Sequence, residues 1–168
     1  QRVNTDKAPY DAWEKQGYLS VTNSDIVDKD YVIDWTYNFI KKYNLRPLCW
    51  AFDANNAAGI MSDVGKDYTV YDVAQNYPSL NDATVGFREE VYCGNICYLY
   101  DPLLNFAMGN AVVKKSNGLI KVDKDATTQR IDPVDAILCA FKLSKYFEAA
   151  ISQKEYNSMI DNWLASDW

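Results

Sequence analysis

Leu48-Cys49-Trp50-Ala51-Phe52-Asp53 is the stretch that decides the fold. Five residues without a charge follow Pro47 and end on an acid. A short, continuous apolar run is the signature of a strand covered on both faces, and parallel strands are the ones so covered. A second β-rich run lies at Tyr68 to Val73, and the residues between, about Asn55 to Val64, read as a short helix. Ser79 with Asp82 forms a capping-box pattern for a further helix through about Tyr92. Strand, helix, strand, helix predicts an α/β layer with parallel strands.

Working toward the N terminus, Asp28 is placed to cap a helix to about Tyr43, with Val32, Trp35, Phe39, Ile40 and Tyr43 on one face. Before it, Tyr18 to Thr22 reads as a strand and Pro9 to Gln16 as a short helix. Working the other way, Asp101-Pro102 opens a helix with Pro at its favoured first position. Asn117-Gly118 between two β-rich runs is the clearest hairpin signal in the chain. Asp132-Pro133 opens a long helix carrying Val134, Ile137, Leu138, Phe141 and Phe147. Tyr156, Met159, Ile160, Trp163 and Leu164 recur at helical spacing, so residues 151–168 read as a helical tail appended to one domain over residues 1–150.

The chemistry available is narrow. The 168 residues include no His, and 17 basic against 23 acidic side chains give a net charge of −6. His-based triads and His-ligated zinc are excluded, and acid–base or metal work falls to carboxylates. Bulk acidity argues against nonspecific nucleic-acid binding by overall charge. No apolar run approaches the roughly 18 residues of a membrane span, so no membrane partner is expected. The four cysteines form no CxxC pair; Cys49 and Cys139 sit in apolar runs as small hydrophobes, which fits a reducing, intracellular setting. Residue 1 is Gln, and no leader-like segment follows, so the chain is expected to be a piece of a longer protein.

Two carboxylates stand where a site would form. Asp53 lies at the carboxyl end of the first strand, the edge at which ligands bind in open α/β sheets. Asp132 lies at a helix start, with Asp135 one turn on. Either acid has a structural reading as a helix cap, and Asp is a preferred one. If the two converge, they supply oxygen ligands of the kind that hard divalent cations take, and without His or a Cys cluster magnesium or manganese is the natural metal. The hairpin adds a basic stretch: Lys114, Lys115, Lys121, Lys124 and Arg130 against Asp123 and Asp125. A two-residue loop places Lys114 opposite Lys121, a like-charge pair that destabilises a hairpin and that a phosphate backbone would offset. The structural reading is a solvated hairpin whose charges protect an open edge.

The order of these pieces resembles the large terminase subunits of tailed bacteriophages. Ala8-Pro-Tyr-Asp-Ala-Trp-Glu-Lys-Gln-Gly-Tyr-Leu19, Phe52-Asp53-Ala54-Asn55, Asn110-Ala-Val-Val-Lys114, Asn117-Gly118, Lys124 and Arg130-Ile131-Asp132-Pro133-Val134-Asp135-Ala136 follow one another as in that family, over about residues 8–148. The resemblance implies an RNase H-like mixed sheet flanked by helices. It implies the nuclease domain of a DNA-packaging motor, which cuts concatemeric viral DNA with two Mg or Mn ions, roughly 3.5–4 Å from each other, held by carboxylates. Asp53 is then the central acid, Asp132 the late one and Asp135 a further contributor. Lys114, Lys115, Lys121, Lys124 and Arg130 are the DNA contacts. The implied partners are double-stranded DNA, the portal protein, the small terminase subunit and the ATPase domain of the same subunit, in the host cell cytoplasm. The family's first strands, one bearing its own acid, are expected upstream of residue 1, which would leave residues 1–168 alone inactive. The rival reading is a non-catalytic module that grips DNA or docks on the portal, its carboxylates only capping helices.

Overall fold

The computed structural model describes residues 6–22, 26–124 and 129–147, with Ser158, Asp161 and Ala165 beyond them. Among these residues the elements are α1 (Tyr10–Lys15), α2 (Lys29–Lys42), β1 (Trp50–Phe52), α3 (Ala54–Val64), β2 (Val70–Asp72), α4 (Tyr77–Tyr92), α5 (Pro102–Asn110), β3 (Ala111–Ser116), β4 (Leu119–Lys124) and α6 (Asp132–Ser144). The fold is mixed α/β. β1 and β2 pair in parallel, Trp50 beside Val70 and Phe52 beside Asp72, as the strand–helix–strand alternation predicts. β3 and β4 pair antiparallel. The parallel and antiparallel pairs lie in separate two-stranded sheets among the described residues.

α6 joins the two sheets. On one side its Val134 and Leu138 pack with Ala107 and Ile131, against Phe87, Ala111 and Val122. On the other, Cys139 packs with Val73 and Leu80, against Ala51. Phe141 meets Phe87 edge to face at 5.5 Å, and Phe147 meets Tyr71 at 6.5 Å. Lys142 Nζ donates to the Ser79 carbonyl and, at 2.9 Å, to Ser79 Oγ, tying α6 to the first turn of α4. The long helix is thus the spine of the core, carrying apolar side chains toward both sheets.

The hairpin is as its turn chemistry dictates. Asn117 and Gly118 both take positive φ, +49° and +81°, the backbone twist that suits a two-residue hairpin loop. The register then places Lys114 opposite Lys121, Lys115 opposite Ile120 and Ser116 opposite Leu119.

Several expectations are corrected. Tyr18 to Thr22 form no strand; Tyr18 and Val21 stay exposed and Leu19 is only partly buried, so little buried surface offsets the cost of ordering a strand there. The strand at Leu48 to Phe52 shortens to Trp50–Phe52 and is half-buried, because a sheet of only two strands leaves much of its surface to solvent. Cys49 is correspondingly half-buried and only Cys139 is buried; Cys93 and Cys97 are exposed, and all four are free thiols. α4 begins at Tyr77, capped by Asn76, whose side chain accepts from Ser79 N at 2.9 Å. Asn competes equally with Ser as a cap, and Pro78 is tolerated in the first turn, so the helix starts earlier than the capping-box pattern indicates. α2 does begin at Asp28, which caps it through Asp30 N, but none of its residues is buried and Trp35 is 52% exposed. No helix among the described residues is long and apolar enough to cross a membrane. The apolar stripe at Tyr156, Met159, Ile160, Trp163 and Leu164 lies outside the described residues.

Candidate active site

Asp53 ends β1 by capping α3. Its Oδ1 accepts from Asn55 N at 3.1 Å and from Asn55 Nδ2 at 2.9 Å. The structural reading of Asp53 is therefore realised. Both of these bonds fall on one oxygen, so Oδ2 lies outside the cap. Asp132 differs from expectation: Ile131 occupies the cap position, and Asp132 is the first residue of α6 with no side-chain capping bond. It is exposed, and its carboxylate serves no helix end.

These acids open onto one pocket of about 230 Å³. Its wall is assembled from the β1–α3 junction (Asp53), the turn after β2 (Gln75), strand β4 (Lys121 to Lys124), the approach to α6 (Gln129 to Ile131) and the first turn of α6 (Asp132 and Asp135). The carboxylates sense one another. Burial first, and then the negative charge of Asp132, push the Asp135 carboxyl up to about 6; Asp123 and Asp53 add to the rise and Lys121 opposes it. The donor set is all oxygen and suits a hard divalent ion in kind. It is not drawn together: among the described residues no three acids or cysteines stand close enough to hold an ion jointly.

Of the basic residues, Lys121, Lys124 and Arg130 line the pocket. Lys114 reaches its edge through Asp123, at 3.6 Å, while Lys115 is exposed on the opposite face of β3 and does not line it. The Lys114–Lys121 pair needs no phosphate to offset it. Asp123 sits between them, 4.0 Å from Lys121 Nζ, and Lys121 also donates to the Gln75 carbonyl at 3.3 Å and lies over the Tyr77 ring.

Two pocket groups, and a third residue that contacts Arg130 behind the pocket, are missed by reading the sequence alone. Asp123 follows Lys121 by two residues, so strand alternation places it on the same face; that signal was available. Gln75 lies in the turn three residues past the end of β2, on the same carboxyl edge that Asp53 marks at β1. Its Nε2 donates to the Val73 carbonyl at 2.8 Å and lies 3.4 Å from Cys139 Sγ, which fixes the turn. Asp6 gives no local signal. It is buried, accepts from Tyr10 Oη at 3.0 Å and pairs with Arg130 Nε at 3.2 Å across 124 positions of sequence.

Comparison with known proteins bears on the family and the fold. The sequence profile of the family described as "Terminase large subunit, endonuclease domain" matches residues 1–148. The chain belongs to that family. This nuclease domain is 28% identical over 141 residues to the large terminase subunit of Enterobacteria phage HK97, an alignment covering 82% of the chain and 28% of that protein. It is 23% identical over 145 residues to protein YmfN of Escherichia coli strain K12, covering 83% of the chain and 31% of that protein. The crystal structure of the HK97 bacteriophage large terminase matches it with a TM-score of 0.75 at 27% identity, over 84% of this chain and 30% of that one. The terminase nuclease domain described here thus spans under a third of the length of these relatives.

Proposed function

We propose that this terminase nuclease domain hydrolyses phosphodiesters of double-stranded DNA with Mg or Mn, cutting concatemeric viral DNA during genome packaging. The observation that supports the reading is the pocket at the end of β1, where Asp53, Asp132 and Asp135 meet Lys121, Lys124 and Arg130. Asp53, Asp132 and Asp135 would hold two divalent ions once drawn closer together than they stand here, as in the RNase H-like nucleases that the sequence resembles. Bound there, such ions supply an activated water and neutralise charge on the leaving oxygen.

The residues of the chain do the rest. Asp53 is fixed by its own cap, so its carboxylate is presented without a loop that must order first. Lys121, Lys124 and Arg130 set positive charge against the phosphate backbone beside the acids. Phosphate contacts position a duplex without reading its sequence, which suits cutting at many sites. No step needs a nucleophilic side chain, so the absence of His is no obstacle. The portal protein, the small terminase subunit and an ATPase domain of the same subunit are the partners this role requires, and the host cytoplasm is its place.

The test is cleavage of supercoiled plasmid by a large subunit carrying residues 1–168, with Mg or Mn and with chelator. Cutting that needs the ion and falls at least about 100-fold in Asp53→Asn and in Asp132→Asn is the expected result. The rival, a DNA-gripping or portal-docking module, rests on the realised cap at Asp53. Unchanged cutting in both variants, or duplex binding with no cutting under any ion, would favour it.

A further inference from the structure

We propose that buried Asp6, with Tyr10, is a positioning residue that aims Arg130 at a DNA phosphate; the inference rests on the nuclease reading above. Asp6 comes from the far end of the chain, yet its side chain is only 2% exposed and faces Arg130, whose own side chain is 41% exposed and lines the pocket. Tyr10 Oη and Arg130 Nε converge on the same oxygen, Asp6 Oδ2. Burial and that bond raise the Tyr10 pKa, so the hydroxyl remains a donor. The main chain of Arg130 is held separately, its carbonyl accepting from Asn110 Nδ2 at 3.3 Å at the end of α5. Arg130 is therefore anchored at both backbone and side chain, two residues before Asp132.

The choice of arginine explains what such an anchor is for. A guanidinium has five N–H donors in a rigid fork; Nε serves Asp6, and the two terminal nitrogens keep four. Two parallel N–H groups are what a phosphate accepts from arginine. A side chain already held in place loses less freedom when it takes up a ligand. A lysine has neither the fork nor a second set of donors.

Simple electrostatics predicts the opposite of positioning. Asp6 is an anion beside a DNA contact, so removing it should strengthen binding if charge alone matters. If Asp6 positions Arg130, removing it should weaken binding. The experiment measures affinity for a blunt 20-base-pair duplex across a salt series, with melting temperature, for wild type, Asp6→Ala, Arg130→Ala and the double variant. Expected is a loss of about three- to tenfold for Asp6→Ala, the size of one freed side chain. Its salt slope stays near the wild-type value because Arg130 keeps its charge, whereas Arg130→Ala lowers the slope by about 0.9. Asp6→Ala should then have no further effect in the Arg130→Ala background. Tyr10→Phe, which removes one bond to Asp6 without opening a cavity, should show a smaller loss of the same sign and serves if Asp6→Ala does not fold.

Tighter or unchanged binding in Asp6→Ala overturns the proposal. So does an equal loss with and without Arg130, which marks a structural effect, or an unaffected duplex affinity in Arg130→Ala. Each of those results leaves the nuclease reading standing if Asp53→Asn still abolishes cleavage.

Discussion

Asp135→Asn should make the protein more stable at neutral pH. The Asp135 carboxyl is raised from 3.8 to about 6, by burial and by the neighbouring acids. A raised carboxyl is a stability penalty on the ionised form. Below pH 3.8 the group is neutral in both folded and unfolded chains and costs nothing; as pH rises toward 6 the unfolded chain ionises first, and stability is lost until the folded group ionises too. At about 1.36 kcal/mol per unit, a shift of about two units sets a ceiling near 3 kcal/mol. The side chain is only partly buried, and solvent screening lowers this to about 1–2 kcal/mol. For a domain of this size that is roughly 3–6 °C in melting temperature. The assay is thermal unfolding of wild type and variant from pH 4 to pH 8 without divalent ions. The variant should melt higher at pH 7–8, with the gap closing toward pH 4. Adding Mn should raise the wild type more than the variant. Equal melting at every pH, or a variant less stable at pH 8, would refute the reasoning.

Asp53→Asn should keep the α3 cap, because an amide oxygen accepts as a carboxylate does, whereas Asp53→Ala should cost about 1 kcal/mol of stability as well as the charge; paired melts and plasmid cleavage separate the two. Lys121→Met removes a bond to the Gln75 carbonyl and the cation facing Asp123 and Asp135, so it should destabilise by about 1–2 kcal/mol and move the Asp135 titration higher, followed by melts across pH. Lys114→Ala, on an exposed side chain, should change stability by less than about 0.5 kcal/mol in the same melts. Leu138→Ala opens a hole in the shared spine where the side chain is 1% exposed, and denaturant unfolding should show a loss of about 2–5 kcal/mol.

The hairpin was legible to the residue, because a two-residue Asn-Gly loop fixes register locally. So was the parallel pair, from the unalternating run before Asp53. Strand length was less legible: how far Leu48 and Cys49 join the sheet depends on neighbours that local pattern does not name. The α4 start was misjudged for a related reason, since Asn76 and Ser79 are equally good caps and only the surroundings choose between them. Asp53 and the pair Asp132 and Asp135, which line one pocket, are marked in the sequence because strand ends and helix starts carry local signals. Asp6 is not, because an ion pair spanning 124 positions has no local trace. The hairpin's charge problem is legible in the sequence, and Asp123 in the same hairpin supplies a counter-charge for Lys114 and Lys121.

The cap at Asp53 also bears on how this domain changes over evolutionary time. One side chain begins α3 and faces the pocket, so selection on cleavage and selection on folding act on the same position. In a lineage that no longer needs to cut DNA, most substitutions there would still be purged for their effect on the helix. Drift would be channelled to the few residues that suit a cap without a carboxylate, chiefly Asn, Ser, Thr and Gly. Asn, Ser, Thr or Gly at position 53, with α3 intact, would then be the scar of a lost nuclease; an aliphatic residue there would mean that the helix start itself had been rebuilt.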